Sequence, residues 1–384
     1  MQRIIRSYLA DHEQEMMDLL EKTVRINSYT PNKQGTDAVV TVFEQVMTDM
    51  GFTVQREKQD NVGDNLIARK NCTSDAPGLL LCGHMDTVFP PDDGFDCFRP
   101  EGDTIIGPGV IDMKGGLVVG IYALKALDTA GLLDHMPITF VFNSDEEIGS
   151  PNSQALIIEE ARKAAAAFVF ECSGPGGKVV TARKGKISFI LNVQGKAGHS
   201  GNLSGPKASA ILEMAHQTIR LEALNDAAKG ISLNVGLVEG GIGPNTVAPS
   251  ASAKIECRYW HEEDGVLLQK AIEQSAASPT IPGTQCSLQR IPGRPTMETS
   301  PAITKLFDIV AKAGADLNIA VQESARGGVS DANFIANAGT PVIDGLGPTG
   351  GKDHSHNEYM LTRSLTERTI LAAEVLRRTF ETFI

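Results

Sequence analysis

The first half of the chain alternates between two hydrophobic patterns. Apolar residues recur at helical spacing in several segments: 11–27, 36–50, 115–130 and 153–165. Short, continuous apolar runs lie between them: 65–68, 79–82, 138–142 and 167–170. Continuous apolar runs separated by helices are typical of parallel strands that are buried on both faces. The pattern therefore predicts an α/β domain built around a mostly parallel sheet.

The pattern changes near residue 183. Strand, helix, strand, strand, helix and strand segments then follow in that order: 186–194, 206–225, 231–238, 250–260, 264–276 and 284–290. This βαββαβ order is that of a ferredoxin-like unit. A linker-like segment, 291–295, comes next, and the apolar segments 301–314 and 341–343 can rejoin the first sheet. We therefore predict one domain formed by residues 1–182 and 294–384, with a second domain, 183–293, inserted into it.

Composition narrows the range of partners. Thirty-five basic and 47 acidic residues give a net charge of −12, which argues against nucleic acid or an anionic membrane. The N-terminal segment carries too many charges for a signal peptide, and no apolar run is long enough to span a bilayer. The six cysteines are scattered without a CxxC pair, as is typical of reduced thiols. We predict a cytoplasmic protein without a nucleic-acid or membrane partner; a local basic pocket for a small anion stays compatible with this charge.

Residues suited to metal or proton chemistry follow the buried runs. Three runs lead directly into histidine or acidic residues: His84 and Asp86, then Glu146 and Glu147, then Glu171. In open α/β sheets, ligands bind just outside the carboxyl ends of the strands. We therefore expect these side chains to converge on one crevice.

Two further elements add to this set. Asp112 lies just before the 115–130 helix, and His354 and His356 follow the last predicted strand. Imidazoles and carboxylates are ligands for zinc-type ions. Two histidines with three carboxylates are too many for one such ion, and they favour two ions that share a carboxylate. Asp86 shares a strand face with His84 and could accept the second ring N–H of that histidine.

Each residue also has a structural interpretation when taken alone. Asp112 could be a helix N-cap, and Glu146 and Glu147 could be the acidic first turn of a helix. The succession of such residues at the ends of several buried strands favours the metal site. The motifs HExxH, GxxxxGK[ST] and GxSxG are absent from the sequence, and Gly107-Pro108-Gly109 is not followed by the third glycine of a dinucleotide-binding loop.

The sequence resembles the M20 family of metallopeptidases over nearly its whole length. The matching segments occur in the family's order: Gly83–Thr87, Gly107–Gly116, Ser144–Ser150, Phe170–Glu171, Gly198–Gly201 and His354–Tyr359. The resemblance implies a dizinc site, with cobalt or manganese as substitutes. It also implies an inserted domain of the dimerisation type.

The resemblance assigns roles within that site. The implied ligands are one shared carboxylate and two residues for each ion: Asp112, with His84 and Glu171 at one ion and with Glu147 and His354 at the other. Glu146 would be the general base and acid, and Asp86 would orient His84. His354 rather than His356 fits the family's spacing to Glu358. The family often has a cis peptide after the shared aspartate, here Asp112–Met113.

Within the family, the sequence most resembles glutamate carboxypeptidase. The matching segments contain Asn245, Arg258, Arg294, Gly327 and Gly328. The resemblance implies that the asparagine and arginines hold the carboxylate end of the substrate, which a guanidinium can bind through two hydrogen bonds. Arg258 could instead be a surface strand residue.

The resemblance also implies a homodimer formed through the inserted domain, in which His199 reaches the partner's active site and stabilises an oxyanion. A turn histidine between glycines is the alternative for His199. We expect a zinc-dependent hydrolase that cleaves an amide bond next to a free α-carboxylate in a small peptide or N-acyl amino acid. An N-acyl amino-acid deacylase of the same family and a non-catalytic binding relative are the alternatives.

Overall fold

The structure is a computed structural model that describes residues 2–72, 77–202 and 205–384. Contacts divide the chain into two units. The large unit contains residues 1–182, 299–326 and 330–384, and the small unit contains 183–298 and 327–329. The domain boundaries expected at 183 and 293 stay a prediction.

The helices are, in chain order, α1 Gln2–Asp11, α2 Glu13–Val24, α3 Lys33–Asp49, α4 Lys114–Thr129, α5 Gln154–Ala161, α6 Ala210–Glu222, α7 Glu262–Ala277, α8 Pro301–Leu317, α9 Ala332–Asn337 and α10 Thr362–Phe383. Two short 3₁₀ helices add to them: Leu133–His135 and Glu146–Ile148.

The strands are β1 Thr53–Glu57, β2 Asn65–Lys70, β3 Gly78–His84, β4 Arg99–Glu101, β5 Thr104–Ile106, β6 Ile138–Asn143, β7 Ala164–Val169, β8 Lys178–Arg183, β9 Gly185–Gln194, β10 Ser232–Gly240, β11 Ser250–Tyr259, β12 Gln285–Arg294, β13 Gln322–Arg326, β14 Val342–Ile343, β15 Gly350–Gly351 and β16 Tyr359–Leu361.

The main sheet of the large unit has the strand order β1-β2-β6-β3-β7-β14. The last four strands of that order run parallel, whereas β1 and β2 pair antiparallel at one edge. Strand β3 lies between β6 and β7, and Leu79, Leu80 and Leu81 in it are buried. The predicted, mostly parallel α/β sheet is confirmed, because continuous apolar strands of this kind need cover on both faces.

Helix α4 packs against β3 and against α1, α2 and α10. Its first turn approaches the end of β7 so closely that a Cβ at Gly116 would overlap the carbonyl oxygen of Phe170. A Cβ at Gly115 would overlap the carbonyl oxygen of Val110. The two glycines therefore allow the start of α4 to lie beside the residues that follow β7.

The small unit has an antiparallel sheet of order β10-β11-β9-β12. Helices α6 and α7 pack on this sheet, and apolar residues of both helices and the strands form its core. The predicted βαββαβ order is confirmed. The linker expected at 291–295 is wrong in part, because β12 continues to Arg294 through a register shift after Ile291. Pro292 and Gly293 interrupt the ladder there without ending the strand.

Several elements had no counterpart among the sequence predictions. Strands β15, β16, β5 and β4 form a small sheet, and β13 pairs with β8. The strands of the small sheet have only two or three residues each, which is too short for a recognisable periodicity. Among the described residues, no helix is both long and apolar enough to cross a bilayer.

Candidate active site

The ligand-type residues of the large unit meet at the carboxyl ends of three adjacent strands. His84 ends β3, the 3₁₀ helix with Glu146 and Glu147 follows β6, and Glu171 lies two residues beyond β7. Strand β3 pairs with both neighbours in parallel, so these three ends lie at the same edge of the sheet. The close approach of Gly116 to the Phe170 carbonyl places the start of α4 beside the end of β7, and Asp112 lies in the loop just before α4.

Asp112 lies between two histidines. Its Oδ1 is 3.1 Å from His84 Nε2, and its Oδ2 is 3.2 Å from His354 Nε2. Each histidine also faces a second carboxylate: Glu171 Oε1 is 3.6 Å from His84 Nε2, and Glu147 Oε2 is 3.2 Å from His354 Nε2. The arrangement therefore consists of two histidine–carboxylate pairs that share one aspartate.

The two halves of this arrangement differ in exposure. The side chain of His84 is 1% exposed, whereas that of His354 is 55% exposed. The ligand atoms of His84, Asp112 and Glu147 lie within 4.8 Å of one another. The cluster is thus closed on the His84 side and open on the His354 side.

The pKa values show how strongly these groups interact. Burial and the neighbouring Asp112 charge raise the pKa of Glu147 to about 8, and the same two causes raise the pKa of Glu171. Hydrogen bonds to Asp112 and Glu147 raise the pKa of His354 to about 11. Burial opposes the charged form of His84, but its bonds to Asp112 and Asp86 outweigh this and raise its pKa well above 6.5. Three carboxylates packed this closely need compensating positive charge.

The donor set fits zinc-type ions. Two imidazoles and three carboxylates supply the nitrogen and oxygen ligands that zinc takes in catalytic sites. One carboxylate with an oxygen directed at each half suits two ions rather than one. Among the described residues, no side chain caps the start of α4, whose N-cap is Met113. The N-cap interpretation of Asp112 is therefore wrong.

Asp86 holds two parts of the cluster together. Its carboxylate accepts hydrogen bonds from the backbone N–H groups of Glu146 (3.3 Å) and Glu147 (3.2 Å) and from the Thr30 hydroxyl (2.7 Å). The Nδ1 atom of His84 is 3.0 Å from the backbone oxygen of Asp86 and 3.4 Å from its carboxylate. The expected contact between Asp86 and the ring of His84 is therefore present, with the backbone oxygen as the nearer partner.

Glu358 supports the loop that carries Asp112. Its buried carboxylate accepts N–H groups of Gly109 (3.1 Å), Ile111 (3.0 Å) and Asp112 (3.2 Å). Burial and the Asp112 charge raise its pKa to about 8. The sequence offered only its position within the matching segment His354–Tyr359 as a signal for this role. The peptide bond Asp112–Met113 in the supported loop is cis, as the resemblance implied.

The small unit holds the other predicted site residues. Backbone pairing brings the segment of His199 beside that of Asn245: Ser200 N donates to Asn245 O (2.9 Å), and Val247 N donates to Gly198 O (2.8 Å). The side chain of His199 is exposed and accepts the N–H of Gly201 at 3.2 Å. This local bond is what a turn histidine makes, so the geometry leaves both interpretations of His199 open.

The two predicted arginines differ in environment. Arg258 donates to Glu256 (2.7 Å) and to the backbone oxygen of Gly327 (2.8 Å). Arg294 lies at the end of β12 with a buried side chain. The backbone oxygen of Gly328 accepts a hydrogen bond from Arg183 at 2.9 Å. Gly327 and Gly328 are thus acceptors within the small unit, and their predicted contact with substrate stays a prediction.

Comparison with known proteins decides the family. The profile of Peptidase family M20/M25/M40 matches residues 80–378, a span that contains every expected metal ligand. The chain belongs to the M20 peptidase family. It is 32% identical over 381 residues to carboxypeptidase G2 of Pseudomonas sp. (strain RS-16), covering 95% of this chain and 89% of that protein. It is 28% identical to succinyl-diaminopimelate desuccinylase of Sphingopyxis alaskensis, covering 95% and 98%.

Solved structures have a similar fold. Aminopeptidase PepT of Bacillus cereus has a TM-score of 0.79 at 22% identity, covering 95% of this chain and 98% of that one. An M20 family metallo-carboxypeptidase of Sulfolobus solfataricus has a TM-score of 0.70 at 17% identity, covering 94% and 98%. At these identities the likeness concerns the fold. The family assignment confirms that the protein is a metal-dependent hydrolase of the peptidase or amidohydrolase type.

Proposed function

We propose that this M20 enzyme is a dizinc hydrolase that cleaves an amide bond next to a free α-carboxylate. The observation that carries the proposal is Asp112, whose two oxygens each face a different histidine. His84 and Glu171 would complete one metal site, and His354 and Glu147 the other. When bound, such ions polarise the scissile carbonyl and lower the pKa of a water toward about 7.

Glu146 is the proposed acid–base residue. It lies beside Glu147 in the 3₁₀ helix, and Asp86 fixes its backbone through the 3.3 Å hydrogen bond. Its side chain is half-buried, which leaves the carboxylate accessible to a water and to the substrate. It takes a proton from the attacking water and delivers it to the leaving amine.

For the α-carboxylate we propose Arg294 and Asn245. A guanidinium binds a carboxylate through two parallel hydrogen bonds, and a buried one such as that of Arg294 is less screened by water. Arg258 already donates to Glu256 and to Gly327, so we propose that it supports the Gly327–Gly328 segment as well as the substrate. The substrate would be a small peptide or an N-acyl amino acid.

We also propose a homodimer formed through the small unit. Strand β10 is an edge strand of its sheet, and it exposes Leu237 and Val238. Helix α6 exposes Ile211, Leu212 and Ile219. An apolar, unpaired edge of this kind favours pairing with another chain. In such a dimer, His199 would stabilise the oxyanion at the partner's active site.

The test of the proposed function is a substrate panel on the zinc-loaded protein. Dipeptides and N-acyl amino acids are offered as free acids and as C-terminal amides. We expect hydrolysis of the free acids and a loss of at least tenfold in kcat/KM for the amides, since a charged bidentate contact is worth about 1.5–3 kcal/mol. Glu146→Gln is the control: it should keep its metal and lose about 10²- to 10⁴-fold in turnover. Amides that react as fast as acids would exclude the α-carboxylate requirement.

The second candidate is an N-acyl amino-acid deacylase, which the desuccinylase relative favours. The same panel separates it from the carboxypeptidase, because a deacylase would hydrolyse N-acetyl or N-succinyl amino acids and leave dipeptides intact.

A further inference from the structure

Arg368 is a buried arginine of α10 that donates its hydrogen bonds to the protein backbone. The residue is 2% exposed. Its Nη2 donates to the backbone oxygen of Gly345 at 2.8 Å, and its Nε donates to that of Gly347 at 3.2 Å. Burial lowers the pKa of Arg368 to about 10, and the charge of the exposed neighbour Glu367 opposes this effect. The guanidinium therefore joins α10 to the segment 345–347.

The burial of this charge is costly. Among the residues that the structure describes, no carboxylate forms an ion pair with Arg368, and its Nη1 has no hydrogen-bond partner. By contrast, Arg377 and Arg378 of the same helix both pair with Glu374, at 2.8 and 2.7 Å. A buried charge without a paired carboxylate lowers stability. Proteins keep such unfavourable groups mainly at functional sites, which directs attention to the segment that Arg368 holds.

This segment runs beside the residues that follow β7. Strand β14 pairs with β7 in parallel, and backbone bonds continue beyond both strands. Gly347 N donates to the backbone oxygen of Glu171 at 2.9 Å, and Ser173 N donates to that of Pro348 at 2.9 Å. On the other side of β7, the ladder to β3 ends at Val169. The backbone at Glu171 therefore depends on the segment that Arg368 holds.

The two backbones are in direct contact. A Cβ at Gly347 would lie 2.7 Å from the backbone oxygen of Glu171, so a displacement of the segment would also displace Glu171. Helix α10 holds the segment at a second point, because Ser364 Oγ accepts the N–H of Thr349 at 2.9 Å. Ser364 lies one turn before Arg368, and residues four apart share a helix face.

Glu171 belongs to one half of the acidic cluster. Its Oε1 lies 3.6 Å from His84 Nε2, whereas Glu147 and His354 form the other half. Groups that fix the orientation of a metal ligand raise the affinity for the metal. A residue that acts through Glu171 should therefore affect one ion more than the other.

We propose that Arg368 is a positioning residue for Glu171. It acts through the backbone of the segment 345–347 and contributes to the metal affinity of the half that His84 and Glu171 form. The inference rests on the proposed function, since it takes Glu171 as a metal ligand. It is independent of which amide the enzyme cleaves, because the predicted effect is on metal binding.

The experiment measures the affinity of each zinc ion by competition between the zinc-loaded, full-length protein and a chelating indicator. Arg368→Met removes the donors and the charge and keeps an unbranched side chain. We expect the dissociation constant of one ion to rise about tenfold, the lower end of the range for residues that orient a ligand, and that of the other to change less than about threefold. Arg368→Lys, which keeps the charge and one donor group, should lose less.

Double variants show whether the effect passes through Glu171. In the Glu171→Ala background, Arg368→Met should change zinc affinity by less than about twofold, because the side chain that it positions is gone. In the Glu147→Ala background, which alters the other half, it should keep its effect of about tenfold. Equal effects of Arg368→Met in the two backgrounds would overturn the inference.

Leu376→Ala separates positioning from a general loss of stability. This buried leucine lies about 12 Å further along α10, and its truncation leaves a cavity that destabilises the packing of the helix. It should lower the denaturant midpoint and leave both zinc affinities unchanged. If it weakened zinc binding as much as Arg368→Met does, the inference would be wrong.

Arg368→Lys and Ser364→Ala carry the test if Arg368→Met does not fold. A loss of affinity at the same ion is expected in both, and wild-type affinity at both ions in both variants would contradict the role of Arg368. Wild-type affinity in Glu171→Ala would instead refute Glu171 as a ligand, and with it the dizinc site of the proposed function. A failure to hydrolyse amides would leave the inference standing, because no measurement here needs turnover.

Discussion

At the scale of single residues, Asp112 determines how the two halves of the cluster are connected. Its Oδ1 and Oδ2 face His84 and His354 separately, and Glu358 holds its backbone N–H. The other ligand-type residues contact one half each. Asp112 is therefore the residue whose loss should affect both halves together.

Asp112→Ala should lower the metal content at both sites, whereas His84→Ala should mainly lower it at one. The reason is that a shared carboxylate contributes to the affinity of each ion, while each imidazole contributes to one. Metal analysis after gel filtration, together with competition against a chelator, measures both. Two tightly held ions in Asp112→Ala would show that this residue does not bridge them.

At the scale of elements, the loop 352–357 presents His354 to the cluster. Lys352 and His354 both have positive φ, at 61° and 58°, a conformation that costs a non-glycine residue free energy. His356 joins this loop to the segment that contains Asp93 and Phe95. Its Nε2 lies 2.6 Å from Asp93 Oδ2, and its ring stacks on the ring of Phe95 with 5.3 Å between the ring centroids. The alternative of His356 as a metal ligand loses support, since its ring faces Asp93.

His356→Ala should weaken the metal site of His354 by about tenfold, because residues that orient a ligand typically contribute 10- to 100-fold to affinity. Asp93→Asn should have a smaller effect in the same direction. Asp92→Asn, at the exposed neighbour of Asp93, is the matched control. Titration of metal-free protein with zinc measures the affinity. If His356→Ala kept the zinc affinity of the wild type while His354→Ala lost it, the contact between His356 and Asp93 would not position the loop.

Asp64 connects α3, β1 and the segment before Glu146. Its carboxylate faces Lys33 (2.7 Å) and Arg56 (2.8 Å), and its backbone oxygen accepts the Ser144 hydroxyl (2.8 Å). Burial alone would raise its pKa, but the bonds from Lys33, Gln59 and Arg56 lower it to about 2. A lowered carboxyl pKa stabilises the folded state above the unfolded pKa of about 4, and this contribution is lost as pH falls from about 4 to about 2.

Asp64→Asn should therefore lower the free energy of unfolding by about 2 kcal/mol at pH 7 and by less at pH 3. Denaturant unfolding at the two pH values measures the difference. Asp60→Asn, at an exposed position nearby, is the control and should change little. The same loss at both pH values would contradict an ionic contribution from Asp64.

At the scale of the whole molecule, the proposed dimer makes each active site depend on two chains. His199 lies in the small unit, and Glu146 lies in the large unit. If His199 acts in the partner's site, His199→Ala and Glu146→Gln homodimers should each be nearly inactive. A mixed dimer would contain one complete site, formed by the intact Glu146 of one chain and the intact His199 of the other.

Mixing the two variants under subunit exchange should then restore about a quarter of the wild-type activity, because half of the dimers are mixed and each has one working site of two. Native mass spectrometry verifies the exchange. Exchange without recovery of activity would mean that His199 does not act across the interface. The cytoplasmic location stays a prediction from the sequence.

The sequence by itself determined the features that depend on neighbouring residues. Buried apolar runs such as 79–82 and 138–142, each followed by histidine or acidic residues, indicated both the sheet and its ligand-bearing ends. These signals are local. Burial on both faces produces a continuous apolar run, and the direction of the chain places the residues that follow the run at the carboxyl end of the strand. The M20 motifs reinforced them, and the family assignment confirmed the enzyme class.

Only the tertiary structure decided what depends on residues far apart in the chain. Glu358 supports Asp112, His356 pairs with Asp93, and Arg326 contacts Cys172. Each of these contacts joins residues more than a hundred positions apart. No periodic pattern in the sequence predicts such a contact, because the partners meet only after the sheet and helices have packed. For the same reason the sequence could not show that β12 runs on to Arg294, since pairing with β9 rather than local propensity holds that strand together.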